Sequence, residues 1–462
     1  MTSADDSPTA TRGDAPTATA PHTGSPALRL AERVALCGLL LYATFAPHSI
    51  AGAWIALSAA TCGWLLRTLV TRRTGVRRSP LDLPLWLFYA WSVLSALFSA
   101  EPRISLLKLI SVSTFLIFYL VQSLVTRGTA VLVAALLIAS GGAGALWSAF
   151  EVVRGRGLVV EQIAPDSPLR DATLRVEAGD SIWRVNGRRI HSTADIDSEI
   201  RNTPAGEPLK LSLFSQGEQV ERVGSVVTDE TKARPSPSGV SGTRPSHRFR
   251  ASGWTRHYET FAETLQILAQ LALGFTLARL QRRAARRTDK LRAALYAAAF
   301  VLLAAGIALT AMRTVLVAFA VGACVIAWRA VARGRARLVV SLFVALALAV
   351  GAFAVWRTRA TGALRLQDDS ARLRFEVARV ALSRIPSRPL LGHGMDAVKR
   401  HWSEWGFPGD VQIHTHSTPI QLAFDRGLPA LLLWLWLLAA FWLTATRAEK
   451  RFRTSDDAGT HG

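Results

Sequence analysis

His414 and His416, followed by Gln421, Asp425, Arg426 and Gly427, stand immediately before an uncharged apolar run, Leu428 to Thr446. A histidine can take a proton from a hydroxyl near neutral pH. This placement holds it at a bilayer edge, where a lipid-linked substrate would present its head group. Upstream, Arg313 lies between two apolar runs that the spacing predicts to form a tight hairpin. An ionisable residue in such a place is costly unless it faces a cavity or a ligand. The segment from Arg357 to Arg400 is strongly basic and includes Arg372, Arg374, Arg379, Arg384 and Arg388. Arginine offers phosphate oxygens a planar bidentate fork whose charge does not titrate away, although arginines on interfacial helices also serve anionic lipid. His414 and Arg372 are near duplicates of His416 and Arg374. Lys108, about one turn inside an apolar segment, suits snorkelling. Glu259, Glu263, Gln266 and Gln270 recur at intervals of four, three and four, hence on one helical face. That face lines a polar groove or pairs with arginine, and Glu263 is a reserve candidate for general base.

The elements that position these groups are membrane helices. Half of the 462 residues are apolar and the mean hydropathy is +0.25, which predicts a polytopic α-helical membrane protein. Ten segments of spanning length are expected, at about 30–49, 50–69, 82–100, 104–125, 129–150, 258–279, 291–310, 312–331, 338–356 and 427–446. The net charge of +21 would suggest nucleic acid in a soluble protein, but its distribution reads as topology. Basic clusters follow the second span (Arg67, Arg72, Arg73, Arg77, Arg78), the sixth (Arg279 to Lys290), the eighth (Arg329, Arg333, Arg335, Arg337) and the last (Arg447, Lys450, Arg451, Arg453). With a cytoplasmic N-terminus and ten spans all four fall inside, as the positive-inside bias requires. The expected organisation is a disordered cytoplasmic tail at 1–27, helices one to five at 28–152, helices six to nine at 257–356, an extracytoplasmic loop at 357–426, the last helix at 427–446 and a cytoplasmic tail at 447–462. The N-terminal tail is not basic and no cleavage site follows the first apolar run, so it is read as a span and not as a signal peptide. Cys37, Cys62 and Cys324 lie in apolar helices and read as small core residues.

Residues 155–226 differ in character. Short apolar runs alternate with Gly, Asp and Asn-Gly turn signals, which predicts a small β-rich extracytoplasmic module. Gly157 with Leu158, Ala164 to Pro168, Gly179, Asp180, Ile182, Val185, Asn186 and Gly187 are spaced as in a PDZ domain, and the resemblance covers nearly the whole module. PDZ domains add an extended peptide to a sheet edge and hold its terminal carboxylate in a backbone nest, here expected at Arg156, Gly157 and Leu158. The G-L-G-F-type loop is absent, so a docking or spacer role stands beside peptide binding. Thr231 to Ser246, rich in Pro, Ser and Gly, is expected to be a flexible linker within 227–256.

Three motifs together resemble the O-antigen ligase and O-antigen polymerase superfamily of bacterial envelope proteins. The run from His416 through Ser417, Gln421 and Asp425 to Gly427 is similar to the family's H-N-x-Y-L-Q-x-x-x-E-x-G signature, with Ser417 and Asp425 replacing the usual Asn and Glu. Arg374 and the following helix lead to Pro389, Gly392 and Gly394, similar to the family's P-x-x-G-x-G turn. Arg313 sits where the family has an S/T-R motif. The resemblance implies transfer of a glycan from an undecaprenyl-pyrophosphate carrier to an acceptor hydroxyl, without metal or cofactor, at the periplasmic face of the inner membrane. His416 would be the general base, and Arg313 and Arg374 would stabilise the leaving pyrophosphate. The implied partners are the lipid-linked glycan donor, a glycan, glycolipid or protein acceptor, membrane lipids and a peptide or protein at the PDZ-like domain. Ligase and polymerase both fit. A transporter or scaffold with a docking arm would leave His416 and Arg313 unexplained. A protease is disfavoured, since H-E-x-x-H is lacking and the G-x-S-G at Gly239 lies in a polar stretch.

Overall fold

The structure, a computed structural model, describes residues 26–215, 218–247, 249–255, 257–281, 287–330, 365–409, 411 and 414–458. Residues 1–25 of the tail expected at 1–27, and the expected span at 338–356, lie outside the described residues.

The chain opens with a helical hairpin, α1 (Pro26–Phe45) and α2 (Ile50–Thr71). Its seam is made of small residues: Ala31, Ala35 and Gly38 face Ala56, Ala60 and Gly63. A Cβ on Gly38 would stand 2.8 Å from the Ala60 Cα, and one on Gly63 2.8 Å from the Ala35 Cα. Lipid tails are as apolar as leucine, so helices in a bilayer gain from backbone approach and close packing. Next come α3 (Asp82–Leu97), α4 (Pro102–Val112), a 3₁₀ turn over Ser113–Leu116, α5 (Ile117–Leu124) and α6 (Arg127–Arg154). After the β domain follow α9 (Tyr258–Leu280), α10 (Arg287–Leu309) and α11 (Arg313–Ala330). Helix α9 is central: its Phe261, Leu265, Leu268 and Ala269 are buried with Ile138 of α6, Leu303 and Ile307 of α10, and Val315 of α11.

Seven helical segments among the described residues are long and apolar enough to cross a membrane: α2, α4 with α5, α6, α9, α10, α11 and Thr418–Arg451 of the last helix. The chain is a multi-pass membrane protein. Of the other expected spans, α3 has only 16 residues, and α1 carries Arg29, Glu32 and Arg33 in its opening turns.

The β domain is an antiparallel sheet in the order β5-β4-β2-β1-β6, with β3 paired to β2. The strands are β1 (Leu158–Ile163), β2 (Ser181–Val185), β3 (Arg188–Arg189), β4 (Pro208–Ser215), β5 (Glu218–Val226) and β6 (Val240–Pro245). In β4, Leu209, Leu211 and Leu213 are fully buried, at a period of two. Asn186 and Gly187, both left-handed at φ 49° and 84°, make the two-residue turn between β2 and β3. Helix α7 (Thr193–Asn202) starts at a reciprocal cap between Ser192 and Asp195 and buries Ile196 and Ile200.

Two expectations fail here. The stretch expected to be a flexible linker forms α8 (Asp229–Ala233) and then strand β6, tied down where Ser238 N–H donates to Asp197 at 2.8 Å and Ser167 Oγ donates to the Ser238 carbonyl at 2.6 Å. The expected carboxylate nest is occupied by the chain itself. Arg156 N–H donates to the Ser246 carbonyl at 2.6 Å, and the Gly157 carbonyl accepts from Ser246 N–H at 3.0 Å. The Arg156 side chain is buried, stacked 3.9 Å from the Trp183 ring centroid and donating to Ser252 Oγ at 3.1 Å. Burial lowers its pKa to about 10 against the opposing pull of Glu151. Glu151, at the end of α6, accepts from Arg189 Nη1 at 2.9 Å and so joins the domain to the membrane helices.

Candidate functional site

The last described elements are α12 (Arg365–Arg384), the short α13 (Val398–His401) and α14 (Thr418–Ala458). Helix α14 is broken at Gly427, whose φ of 80° and ψ of 169° are not helical, and Pro429 follows. The break deprives three carbonyls of their helical partners, and a buried carbonyl must find another donor. The Phe424 carbonyl accepts from His393 N–H at 2.8 Å, and that of Asp425 from Gly394 N–H at 2.8 Å. The Arg426 carbonyl accepts from Trp91 Nε1 of α3 at 2.9 Å. Leu428 N–H in turn donates to Pro389 at 2.8 Å. The turn from Pro389 to Gly394 is therefore the cap of a broken membrane helix. Its glycines are required there: a Cβ on Gly392 would strike the Asp425 carbonyl group and one on Gly427 the Leu390 carbonyl oxygen.

This cap closes an apolar cluster in which Val377 and Ala381 of α12 meet Val398, Trp402, Trp405, Phe407 and Phe424. His393 is part of it, stacked on Phe424 at 4.6 Å and bonded to the Arg384 carbonyl at 3.1 Å. Burial, with the charges of Arg388 and Arg384, keeps this imidazole below its ordinary pKa.

His416 sits on the rim, just ahead of α14, in the left-handed region at φ 57°. Its loop is pinned by a relay along the first turns of α14. Thr415 N–H donates to Gln421 Oε1 at 2.6 Å, and Gln421 Nε2 donates to Asp425 Oδ2 at 2.8 Å. Asp425 is buried beside the helix break. The His414 ring meets that of His416 edge-on, with centroids 5.4 Å apart. His416 is accessible from outside yet hemmed in by its neighbours, and its pKa is lowered first by burial, then by the charges of Arg374 and His414, while Glu259 pulls the other way. Burial and neighbouring positive charge both favour the neutral form of an imidazole so placed.

The structure brings together His416, His414, Arg374 and the start of α9, where the Tyr258 hydroxyl also feels Arg374. Arg372 turns elsewhere, paired with Glu376 at 3.0 Å. Arg313, the first residue of α11, follows the α10–α11 turn, whose Leu309 carbonyl accepts from Ala251 N–H at 3.1 Å in the segment leading to α9. It is exposed and has no hydrogen-bond or ion-pair partner among the described residues. Lys108 is bound to Asp396 Oδ2 at 3.1 Å. Asp396, also held by Lys399, keeps a lowered pKa because those two bonds outweigh the upward push of burial.

Glu263 is exposed, and the acid whose charge reaches His416 is Glu259, one turn earlier. On the same stripe Gln270 packs against Gly322 of α11. The period of the stripe identified the face but not which member meets the histidine. Gln421 and Asp425 were visible as motif positions, whereas their relay to the Thr415 amide was not, because it depends on the loop folding back over the helix. Among the described residues no group of three or more His, Cys, Asp or Glu side chains is arranged to hold a metal ion.

Residues 298–435 match the sequence profile of the O-antigen ligase family, and residues 144–222 match that of the PDZ domain. The first match contains Arg313, Arg374, His416, Gln421 and the helix break at Gly427. No curated protein matches the chain. The chain thus joins a segment similar to the O-antigen ligase family to a segment similar to the PDZ domain.

Proposed function

We propose that this protein transfers a glycan from an undecaprenyl-pyrophosphate carrier to an acceptor hydroxyl, at the outer face of a bacterial inner membrane. The observation that carries the reading is an accessible histidine at the start of the last helix, its pKa lowered by burial and by the charge of Arg374, within the segment matching the O-antigen ligase family. His416 takes the proton of the acceptor hydroxyl as that oxygen attacks the anomeric carbon. The bond from that carbon to the pyrophosphate oxygen breaks, its electron pair leaves on undecaprenyl pyrophosphate, and the anomeric centre inverts. Negative charge grows on the leaving oxygens, so Arg374 and Arg313 stabilise the transition state more than the ground state. His414 orients the His416 ring, and Gln421 fixes the loop that carries it.

Loss of a general base costs about 10²–10⁴ in rate. Purified His416→Ala should therefore bind donor while transfer falls by at least the lower figure, and wild-type transfer should persist in EDTA. Near-normal transfer by His416→Ala would remove this histidine from the chemistry, and EDTA sensitivity would reject a metal-free reaction. Polymerase and ligase share this chemistry and differ in the acceptor. In a deletion strain, surface polysaccharide that is made but unattached identifies a ligase, and attached single repeats identify a polymerase.

A further inference from the structure

We propose that the ligand of the PDZ groove is the chain's own strand β6, bound in cis, so that the domain braces the start of α9 and is not a receptor for a peptide from another protein. A PDZ domain takes its peptide by strand addition at a free sheet edge. Strand β1 has β2 on one edge, and on the other edge β6 runs antiparallel to it, with Leu158 opposite Pro245, Val160 opposite Thr243 and Ile163 opposite Val240. Strand β6 also lies against α7, where the Thr193 and Thr243 hydroxyls are 3.1 Å apart. Edge, helix and bound strand are the parts of a filled peptide groove.

The occupant is fixed at both ends. Before it, the Gly239 carbonyl accepts from Ala164 N–H at 2.8 Å, and Val240 is buried in the domain core. After it, Ser246 exchanges two backbone hydrogen bonds with Arg156 and Gly157 and donates its hydroxyl to Ser181 Oγ at 2.7 Å. A peptide ending in a free carboxylate would stop at that loop; this chain runs on through it. Beyond, Arg156 holds Ser252, and Gly253 N–H donates to Ser148 Oγ of α6 at 3.1 Å. Five residues later α9 begins at Tyr258. The filled groove therefore sets where α9 starts, and Tyr258 and Glu259 with it.

Tethering favours the cis strand over any competitor. A short linker gives an effective concentration on the order of mM, so a free peptide of equal intrinsic affinity at about 0.1 mM would displace it from only about a tenth of molecules.

The test uses the full-length protein in nanodiscs and does not depend on the transfer reaction. A Cβ built on Gly242 lies 3.4 Å from Glu161 Cβ, so Glu161→Cys with Gly242→Cys, in a background with Cys37, Cys62 and Cys324 changed to Ala, should form an intramolecular disulfide on mild oxidation. Excess synthetic peptide with the sequence of residues 238–246 should not reduce its yield. Unmodified protein should show slow amide exchange across Val240–Thr243, matching β2, and should leave the labelled peptide essentially unbound at about 0.1 mM. Fast exchange in that strand, or stoichiometric peptide binding by the unmodified protein, overturns the proposal without reliance on any variant; so does failure to cross-link in a folded double-cysteine protein.

Discussion

In the proposed mechanism His416 serves as a base only while its ring is neutral, and burial, then the coulombic effects of Arg374 and His414, favours that form. The acid limb of the rate profile should therefore lie below the ordinary histidine value of 6.5. Arg374 tests this directly. Arg374→Gln removes a positive charge that depresses the histidine, so the limb should move to higher pH as well as the rate falling. Arg374→Lys keeps the charge, so its limb should stay near that of wild type while transfer still fails, because a point charge does not replace a bidentate fork. Limbs that do not separate these two variants would detach the profile from His416. Stability follows the same sign. His393 and His416 both bind protons less readily when folded, so acidification from 6.5 through their lower folded values favours the unfolded chain. Gln421 acts one step back. Gln421→Leu removes the acceptor of the Thr415 amide, a buried bond worth about 1–3 kcal/mol when left unmade. Transfer should fall about tenfold or more, in kcat more than in KM, with donor binding retained. Unchanged kcat would show that the relay does not position the histidine.

Helices and turns differed in how openly the sequence displayed them. Apolar length announced the spans, because a bilayer demands about 20 apolar residues whatever the neighbours are, and α9, α10 and α11 fall where that rule puts them. The β domain was equally readable from its turn glycines and the period of two in β4. Strand β6 was not. A run such as Ser236, Pro237, Ser238, Gly239 has the composition of a linker, and only the free edge of β1 makes a strand of Val240 to Pro245. The glycines of the 389–394 turn and Gly427 could be matched to a motif, but their purpose lies in a contact between segments more than 30 residues apart. That purpose is testable. Gly427→Ala adds a Cβ where the Leu390 carbonyl sits and holds a side chain at φ 80°, so the cap should separate from the break. Strain of this kind costs about 1–3 kcal/mol before the clash is counted. The variant should insert normally, melt at a lower temperature and lose transfer. Wild-type melting would mean that the helix break does not depend on the turn.

Across the whole molecule, the charge pattern and the domain arrangement bear on one question, namely which side of the membrane holds the site. In the proposed topology the basic clusters after α2 and at the C-terminus, with Arg329 bound to Glu449, lie on one common inner side, and the β domain and the His416 loop lie together on the other. Reporter fusions at Gly217 and Gly409 should both read as extracytoplasmic, and a cytoplasmic reading at either would move the site to the wrong face for a lipid-linked donor. In that topology the β domain shares the membrane face of the site, and its connection to α9 decides what its removal does. Deleting 157–226 takes away Trp183, under which Arg156 is stacked, and the strand against which β6 lies. The membrane helices keep their own buried core around α9, so insertion and abundance should survive. The residues from Ser246 to His257 lose their anchor, and Glu259 and Tyr258 lose their fixed approach to His416 and Arg374. Misplacement on the scale of 1 Å costs up to about 10²-fold in rate, so transfer should fall substantially without vanishing. Full-rate transfer by an inserted deletion variant would strip the domain of any bracing role. Complete loss in a folded, abundant protein would place the domain within the acceptor site itself.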